Sequence, residues 1–437
     1  MTFHGRQGNS SVSDIIFANK IEEYAMDKVA FVVVRYGLDV NGGAEYHVRM
    51  LAERLVGRYD VEVLTTCVKD YITGEKHYPV GEELINGVRV RRFNADPINA
   101  DMESSYWRKT KKARKLRRFL YRIRLLTPLS YLFPVWRYQA ADELNLLNSH
   151  VFYSSQLFSF IEEHKDAYKA IIPISIDFPQ MHYAALAAPE KTIVIPTMHN
   201  HSGAFRSILT SVFTKVAYVA FNTRAEEKLG ERVFGHALAP HGIISVGINI
   251  AEPADWEMTQ AKYKLPAEYL LYVGRIEVTK LHHIFTYFLS YKEKYKDSRL
   301  KLVMVGGLFS EPFLHPDIMY TGFIDESEKI AIIQHAKIII NPSKHESLSL
   351  ILLEAMSLKK AMLVNGLCAV LKEHCKESHN AALWYTTKRG FIKRLRQLDV
   401  SEALREEMGE KGFNYVQKNY KWDLIMERLV QQIESLK

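Results

Sequence analysis

Short apolar runs rich in β-branched residues recur along this chain, and their alternation with helical patterns constrains the fold more than any other feature. The first run, residues 28–37, is nearly all apolar, as expected for a strand buried on both faces of a sheet. Similar runs follow at 61–66, 87–93, 170–176, 191–198 and 218–223. Strands that alternate with helices form a parallel, doubly wound sheet. The sequence therefore predicts an α/β fold.

The alternation starts again after a polar stretch at 252–266. The second set of apolar runs lies at 269–274, 301–307, 318–323, 337–343 and 361–365. A chain of 437 residues is too long for one ordinary core, so two domains of about 200 residues are expected. We predict an N-terminal Rossmann-like domain at 1–250, a linker at 251–268, a C-terminal Rossmann-like domain at 269–420 and a closing helix at 421–437.

Cysteine usage and hydropathy indicate the cellular compartment of the protein. Its three cysteines form no CxxC pair, which suits a reducing cytoplasm and disfavours a zinc site or a disulfide framework. The first 26 residues show no apolar core of a signal peptide, and no run of 18 apolar residues occurs. We expect a cytoplasmic protein without a membrane-spanning helix.

The positive charge of the chain is concentrated in one segment. Residues 107–124 contain ten Lys or Arg and no acid, so removing their ten charges would change the net charge from +8 to −2. Four apolar residues of this segment recur at helical spacing and predict an amphipathic helix: Leu116, Phe119, Leu120 and Ile123. A basic and apolar helix suits an anionic membrane surface, here the inner face of the plasma membrane.

We place that membrane contact within a basic segment at 107–136, on Lys111, Lys112, Lys115, Arg118 and Phe119. A helix that packs on its own domain is the alternative reading. Nucleic acid is the third possibility, but the chain shows no RNP, helix-turn-helix or zinc-finger pattern, so no nucleic-acid partner is expected.

Two glycine- or cation-bearing motifs follow predicted strands, where open α/β sheets bind ligands. The first, NGGAE, places Gly42 and Gly43 at the start of a helix, where backbone can approach an anion closely. The second, VGRIEVTK, places Arg275 and Lys280 where a diphosphate would lie. Taken singly, the first also fits a tight turn and the second a solvated charged loop.

A third motif, HESLSLILLEAM at 345–356, sets two glutamates in apolar surroundings. Ser347 is a natural N-cap for a helix running through Leu358, whose first N–H groups would face the same phosphates. Glu346 and Glu354 would be at most ~12 Å apart along such a helix, about the distance from a bound sugar to a nucleotide ribose. A carboxylate accepts well from vicinal hydroxyls, so Glu354 is a candidate ribose ligand. The alternative is a glutamate that reaches solvent or a nearby lysine.

Together these motifs resemble those of the retaining glycosyltransferases of family 4, of the bacterial surface-polysaccharide type, which have the GT-B fold of two Rossmann-like domains facing across a cleft. The resemblance covers about residues 28 to 435. It implies that Glu346 contacts the donor sugar, Glu354 the ribose, and Arg275 and Lys280 the diphosphate. It also implies donor contacts from Gly42 and Gly43 and from Ser347, Leu348 and Ser349.

The resemblance extends to further positions. His199, in PTMHNHSGAF, matches the family's active-site histidine, although His201 competes for that role. Phe323 and Ile324 lie in the segment whose backbone reads the base, and Trp422 opens the helix that crosses back to the first domain. The chain departs from the family pattern at Leu281, where glycine is usual, and at NAALWY, which replaces a glycine-rich turn.

These observations predict a metal-independent hexosyltransferase. It would move mannose, rhamnose or another hexose from a nucleotide-sugar donor to a glycan or lipid-linked acceptor, with His199, Glu346, Arg275 and Lys280 as catalytic residues and no cofactor. Surface polysaccharide or lipopolysaccharide synthesis is the expected setting. A sugar-nucleotide epimerase with the same fold and a basic scaffold with a vestigial sugar site are the alternatives.

Overall fold

The computed structural model of the chain describes residues 26–40, 42–71, 73–97 and 100–436, and at positions 100, 278–280 and 282 it describes the backbone alone. The predicted α/β architecture is confirmed in this part, where two groups of mainly parallel strands are covered by helices. The absence of a signal peptide concerned the first 26 residues, nearly all of which lie outside the described ranges.

The first group of strands forms two neighbouring sheets. A five-stranded sheet has the order β3-β4-β2-β1-β5, in which only β3 runs antiparallel, and a parallel three-stranded sheet has the order β6-β7-β8. Parallel bridges from Ile171 to Thr192 and from Ile174 to Ile195 join the two. The strands are β1 Lys28–Val32, β2 Asp60–Thr66, β3 Gly81–Ile85, β4 Val88–Phe93, β5 Ala170–Pro173, β6 Ile193–Val194, β7 Tyr218–Phe221 and β8 His241–Ile243.

The second group forms one six-stranded parallel sheet with the order β11-β10-β9-β12-β13-β14. Its strands are β9 Tyr269–Val273, β10 Lys301–Val305, β11 Ile318–Gly322, β12 Ile338–Asn341, β13 Met362–Asn365 and β14 Ala382–Tyr385. The side chains of β12 and β13 are buried throughout, because helices cover both faces of this sheet.

Helices separate most of these strands, as the sequence pattern predicted. In the first half they are α1 Gly43–Leu55, α2 Ala100–Arg122, α3 Leu126–Leu132, α4 Ala140–Asn148, α5 Ser155–His164, α6 Pro179–Ala187, α7 Ile208–Phe213 and α8 Arg224–Phe234. In the second half they are α9 Trp256–Tyr263, α10 Val278–Lys294, α11 Glu326–His335, α12 Leu350–Ser357, α13 Ala369–Glu377, α14 Lys388–Val400, α15 Glu402–Asn419 and α16 Trp422–Ser435. Within the described ranges, no helix is both long and apolar enough to cross a membrane.

The stretch predicted as a linker contains helix α9. Asp255 caps this helix by accepting from the N–H of Met258, and Trp256 stacks on His335 of α11 with ring centroids 3.8 Å apart. The polar composition that suggested a linker reflects the exposed face of a short helix that packs beside the second sheet.

The closing helix α16 packs against the first sheet although it follows the second in sequence. Ile425, Leu429 and Ile433 are fully buried in the cluster that also holds Val29 and Phe31 of β1. At its start, the Trp422 indole N–H donates to Asn249 at 2.7 Å, and the Arg54 guanidinium lies 3.6 Å from the ring. This helix therefore ties the two halves of the chain together.

Candidate active site

A cavity of about 370 Å³ lies between the two halves, at the carboxyl ends of strands from both. Its walls follow β1, β5, β6, β7 and β12, as expected for ligand sites in open parallel sheets. The lining residues are Gly43, Ala44, His47, Asp177, Thr197, His199, Asn222, Val246 and the loop from His345 to Leu350. The structure thus brings the glycine motif, His199 and Glu346 together.

The two glycines after β1 differ in what requires them. A Cβ at Gly42 would lie 2.1 Å from a carboxylate oxygen of Glu45, which is buried and accepts from Arg35 at 2.7 and 2.9 Å. A Cβ at Gly43 would meet nothing within 4 Å, and this residue lines the cavity. Gly42 is therefore explained by packing, while Gly43 offers open backbone to a ligand.

The two competing histidines have different surroundings. The imidazole nitrogens of His201 contact the His199 carbonyl at 3.0 Å and an Asp177 carboxylate oxygen at 3.1 Å. His199 lines the cavity between His201 and His345, with ring centroids 4.1 and 5.2 Å away. Burial, assisted by the neighbouring histidines, lowers the pKa of His199 to about 4, so it is neutral at pH 7. The geometry favours His199 as the residue that faces a ligand and His201 as its support.

Asp177 fixes that support. Burial alone would raise the pKa of Asp177, but the hydrogen bond with His201 and the charge of Arg206, whose Nη2 is 2.9 Å from it, hold the pKa below its usual value. The carboxylate therefore stays ionised and orients the His201 ring.

The loop before α12 carries Glu346 into the cavity. Its Oε1 accepts from the Asn341 amide at 3.4 Å, and burial raises the pKa of Glu346 despite this bond. The predicted N-cap at Ser347 is wrong, because α12 begins at Leu350 and Ser349 occupies the cap position with a φ of 79°. The Ser349 hydroxyl accepts from Asn341 at 2.9 Å, which holds this left-handed residue in place.

The same loop contacts the first half of the chain. The Thr223 hydroxyl donates to the Ser347 carbonyl at 3.2 Å, and His374 donates through Nε2 to the Leu348 carbonyl at 3.0 Å. Ser347, Leu348, Ser349 and Leu350 line the cavity, so the start of α12 borders it. An anion placed there would meet the positive end of the helix dipole.

Glu354 lies in α12 and is 8% exposed. Its two carboxylate oxygens are 3.2 and 3.1 Å from the Lys329 amine, which also contacts Glu326 at 2.7 Å. Burial raises the pKa of Glu354, while the charge of Lys329 opposes that rise. A nearby lysine was the alternative reading of this glutamate, and the structure contains that lysine; whether the carboxylate also binds ribose stays a prediction.

The predicted diphosphate cations follow β9. Arg275 is exposed and stacks over Phe309 with its guanidinium carbon 4.3 Å from the ring centroid. Lys280 lies in the first turn of α10, and its side chain is outside the described part of the structure. Next to Arg275 the backbone is tightly packed, because a Cβ at Gly306 would lie 2.1 Å from the Gly274 carbonyl oxygen.

The predicted base-reading residues directly follow β11. Phe323 is 70% exposed, and its ring covers Gly307, where a Cβ would lie 2.4 Å away. Ile324 is partly buried against the core of the second half. Neither residue lines the cavity that holds His199 and Glu346, so a donor that reached them would extend beyond it.

The basic helix α2 packs on its own domain through two buried arginines. Arg114 and Arg117 are 1% and 0% exposed, while Leu116, Phe119 and Ile123 are 45%, 56% and 46% exposed. The predicted amphipathic pattern is therefore present: Leu116, Phe119 and the adjoining Ile123 face solvent, whereas Leu120 packs against a core cluster. The outward face also carries Lys111, Lys112 and Lys115, whereas Arg118 turns to Asn200, whose carbonyl accepts from Nη2 at 2.7 Å.

Several residues at the cavity were not predicted from sequence. Asp177, Asn222 and His345 each follow a buried strand, and this position is the signal that would have found them. His47 lies in α1 and is fully buried, with its Nε2 3.3 Å from the Ser245 carbonyl, and burial lowers its pKa to about 4. Its sequence context gives no such signal, because α1 carries it one turn beyond the glycine motif.

One group of side chains away from the cavity has suitable spacing for a metal ion. Atoms of Glu227, Glu231 and His241 lie within 4.8 Å of one another. Arg224 already pairs with Glu227 and lies 3.6 Å from Glu231, which neutralises part of this charge. The prediction that catalysis needs no metal concerns the other site and stays a prediction.

Comparison with known proteins agrees with this architecture. Residues 257–415 match the model of Glycosyl transferases group 1. Sucrose-phosphate synthase from Thermosynechococcus elongatus superposes with a TM-score of 0.64 at 16% identity, covering 94% of this chain and 99% of that one. No curated protein matches the chain by sequence.

Two further solved structures are similar over the same length. An α,α-trehalose-phosphate synthase from Burkholderia xenovorans, in complex with glucose-6-phosphate, has a TM-score of 0.65 at 11% identity and covers 93% of this chain and 100% of its own. The E. coli trehalose-6-phosphate protein bound with UDP-2-fluoro glucose has a TM-score of 0.66 at 12% identity and covers 94% and 99%. At such identities the likeness establishes the fold, which is GT-B, and the domain match supports glycosyltransferase activity.

Proposed function

We propose that this chain is a retaining glycosyltransferase that moves a hexose, such as mannose or rhamnose, from a nucleotide-sugar to an acceptor hydroxyl. One observation carries the proposal: Gly43, His199 and Glu346 reach the same cavity from three separate loops and two halves of the chain. Such convergence is the expected arrangement for a substrate held between two Rossmann-like domains. The match over residues 257–415 supports the reaction class.

The chemistry follows from where charge develops. The bond from the sugar C1 to the diphosphate oxygen breaks, a bond from C1 to the acceptor oxygen forms, and the acceptor proton passes to the leaving phosphate oxygen. Arg275, Lys280 and the first N–H groups of α12 would stabilise the growing negative charge, which is electrostatic catalysis that requires no metal. Glu346 and His199, whose imidazole is neutral at pH 7, would hydrogen-bond to the sugar hydroxyls, and Glu354 would bind the ribose hydroxyls.

The acceptor proposed first is a glycan or a lipid-linked intermediate of surface polysaccharide synthesis. A sugar phosphate is the second candidate, since relatives of the same fold are sucrose-phosphate and trehalose-phosphate synthases. The contact of Arg118 with Asn200 favours an anionic acceptor in both cases, because it places the basic helix α2 beside the His199 loop. An epimerase of this fold would need no acceptor.

Membrane contact is part of the same proposal for a cytoplasmic enzyme. The outward face of α2 combines three lysines with Leu116, Phe119 and Ile123, and the following helix exposes Tyr131, Leu132 and the adjoining Phe133 by 49%, 74% and 60%. Exposed apolar side chains flanked by cations suit an anionic bilayer surface. A lipid-linked acceptor would be held at that surface.

A thermal-shift screen of GDP-mannose, dTDP-rhamnose and UDP-hexoses tests the donor. A donor that binds the native state stabilises it and so raises Tm. At a donor concentration of a hundred times Kd, the free energy of unfolding increases by about 2.7 kcal/mol. With that donor, Arg275→Ala should lower kcat more than it raises KM, and EDTA should leave turnover unchanged. Failure of every sugar nucleotide to raise Tm would favour the scaffold, and donor turnover without an acceptor would favour the epimerase.

Flotation with anionic and neutral vesicles tests the membrane contact. The triple change Lys111→Glu, Lys112→Glu and Lys115→Glu should abolish binding to anionic vesicles, and high salt should release the wild type. Arg118 is left intact because it contacts the His199 loop. Equal binding of the wild type to neutral vesicles, or unchanged binding of the triple variant, would contradict the membrane proposal.

A further inference from the structure

A second and larger cavity lies between the two halves of the chain, separate from the candidate active site. Its volume is about 840 Å³, and we call it the rear cavity. Residues from the first half, from the ends of α13 and α15 and from α16 form its walls. Among the described residues, none lines both cavities.

The charge of the rear cavity is positive. Arg224, Lys411, Lys418 and Arg428 line it, against Glu377 as the one carboxylate among its described lining residues. Arg224 pairs with Glu227 and Lys411 with Glu407, but neither Lys418 nor Arg428 forms an ion pair within the described part of the chain. Two cations without a counter-charge therefore face a space large enough for a sugar phosphate or a nucleotide.

A buried hydroxyl in the wall adds an independent sign of a ligand. Ser245 is 3% exposed and lines the rear cavity, and its Oγ has no hydrogen-bond partner. The φ of Ser245 is 69°, which is uncommon for a non-glycine residue. The Ser245 carbonyl lies 3.3 Å from His47 Nε2. A buried polar atom without a partner is destabilising unless a ligand or water completes it.

We propose that the rear cavity binds a phosphorylated small molecule. Lys418 and Arg428 would hold its phosphate, and Ser245 would bond to a hydroxyl or phosphate oxygen. Phosphate is the chemistry that two unpaired cations and a hydroxyl recognise best, because cation–phosphate bonds are charge-assisted. A sugar phosphate and a nucleotide share that group.

Two hydrogen-bonded connections join this cavity to the active-site loop. Tyr415, in the rear wall, donates to His374 Nδ1 at 2.9 Å, and His374 donates through Nε2 to the Leu348 carbonyl at 3.0 Å. On the other side, the Thr223 hydroxyl donates to the Ser347 carbonyl, and the Ser245 carbonyl contacts His47. A ligand that moved Tyr415 or Thr223 would therefore act on loop 345–350, so occupancy should alter donor affinity and donor binding should alter occupancy equally.

Calorimetric titration of the full chain with inorganic pyrophosphate tests the site. Lys418→Glu with Arg428→Glu should weaken binding at one site by tenfold or more. The matched control, Lys388→Glu with Lys393→Glu, makes the same charge change on exposed residues of α14 and should bind as the wild type does. Because pyrophosphate also resembles the donor diphosphate, each pair is repeated with Arg275→Ala, which should leave the rear-cavity binding intact.

The proposal is overturned if pyrophosphate does not bind, if the cavity pair binds like the control pair, or if Arg275→Ala alone removes all binding. If the cavity pair fails to fold, Lys418→Ala, at an exposed position, should still weaken binding about threefold, and no change would overturn the site. The coupling rests on the proposed function: Tyr415→Phe should retain pyrophosphate binding and reduce its effect on donor affinity, because only the connection through Thr223 remains. Binding without any effect on the donor would overturn the coupling alone and leave the reaction proposal untouched.

Discussion

Two buried glutamates, one in each half of the chain, lie beside a cation, yet their surroundings differ. Glu143 and Arg117 in the first half are both fully buried, with 2.8 Å between them, and the other Glu143 oxygen accepts from the N–H and hydroxyl of Ser207. Arg117 also donates to the carbonyl of Phe205 at 2.9 Å. Glu354 in the second half has one described partner, Lys329.

The difference separates a structural carboxylate from one that can still bind. Each ionised carboxylate offers about four lone-pair positions. Glu143 accepts three hydrogen bonds, one from Arg117 and two from Ser207, whereas Glu354, within α12, has the Lys329 amine as its one described partner and keeps more acceptor capacity. We therefore expect changes at Glu143 to affect stability and changes at Glu354 to affect ligand binding.

The largest expected effect is that of Glu143→Gln. It leaves the Arg117 charge buried without a counter-charge, which typically costs about 3–5 kcal/mol. Urea unfolding should show that loss, while the folded fraction binds the donor with unchanged affinity. Glu163→Gln on the exposed surface of α5 is the matched control and should change stability by less than ~0.5 kcal/mol. Equal stability of the two variants would show that the buried pair contributes nothing.

Glu226 extends the comparison to a buried carboxyl with no cation. It accepts from the N–H of Asn222 at 2.7 Å and from that of Met198, and burial raises its pKa to about 8. The unfolded chain releases this proton near pH 4.5, whereas the folded chain retains it up to about pH 8. The contribution of Glu226 is therefore fully present below about pH 4.5, is lost progressively as the pH rises, and is gone above about pH 8.

We expect that loss to be roughly 2–4 kcal/mol between pH 5 and pH 8, given 1.36 kcal/mol per pKa unit. Buried histidines such as His374, with a pKa lowered to about 4, act in the opposite direction between pH 4 and 6.5. The measurement is therefore the difference between wild type and Glu226→Gln across this pH range. A difference that stays constant with pH would mean that Glu226 is ionised in the folded protein.

Glu354→Gln should have a smaller effect, and on binding rather than on folding. Loss of a charged acceptor for the ribose hydroxyls should weaken donor binding by about 1–3 kcal/mol, since hydrogen bonds to charged groups are worth 1.5–3 kcal/mol. Donor titration of the variant measures this, with urea unfolding alongside. A variant that is strongly destabilised but binds the donor normally would place Glu354 with Glu143 as a structural residue.

The sequence predicted the features that depend on local pattern. Strands such as β9 and β10 are continuous apolar runs, and their periodicity identifies them directly. Strand β3 was missed because its residues, GEELI, are exposed at the sheet edge and carry charge. The motifs were found because Gly43 and Glu346 lie between a strand and the helix that follows it, where open α/β sheets bind ligands.

What the sequence did not predict depends on packing. The burial of Arg114 and Arg117 in the basic helix α2 was not predicted, and nothing in the helical spacing indicates that Glu143, 26 residues away, accepts from Arg117. The cap of α12 is Ser349 and not the predicted Ser347, because the loop before the helix forms hydrogen bonds with Thr223 and Asn341. Such contacts between distant segments decide details that local rules cannot.

The smallest expected effect is that of Lys329→Met, which removes the cation but retains an apolar stem of similar length. Burial already raises the pKa of Glu354 against the charge of Lys329, so without that charge the pKa of Glu354 should rise further. The neutral form accepts hydrogen bonds less well. Donor affinity of the variant should therefore fall by about 1 kcal/mol as the pH is lowered from 8 to 6, while the wild type changes less.

Lys262→Met is the matched control, because Lys262 pairs at 2.6 Å with Glu328 near the surface, away from the active-site cavity. If both variants show the same pH profile of donor affinity, Lys329 does not maintain the charge of Glu354, and the ribose role of that carboxylate loses its electrostatic support.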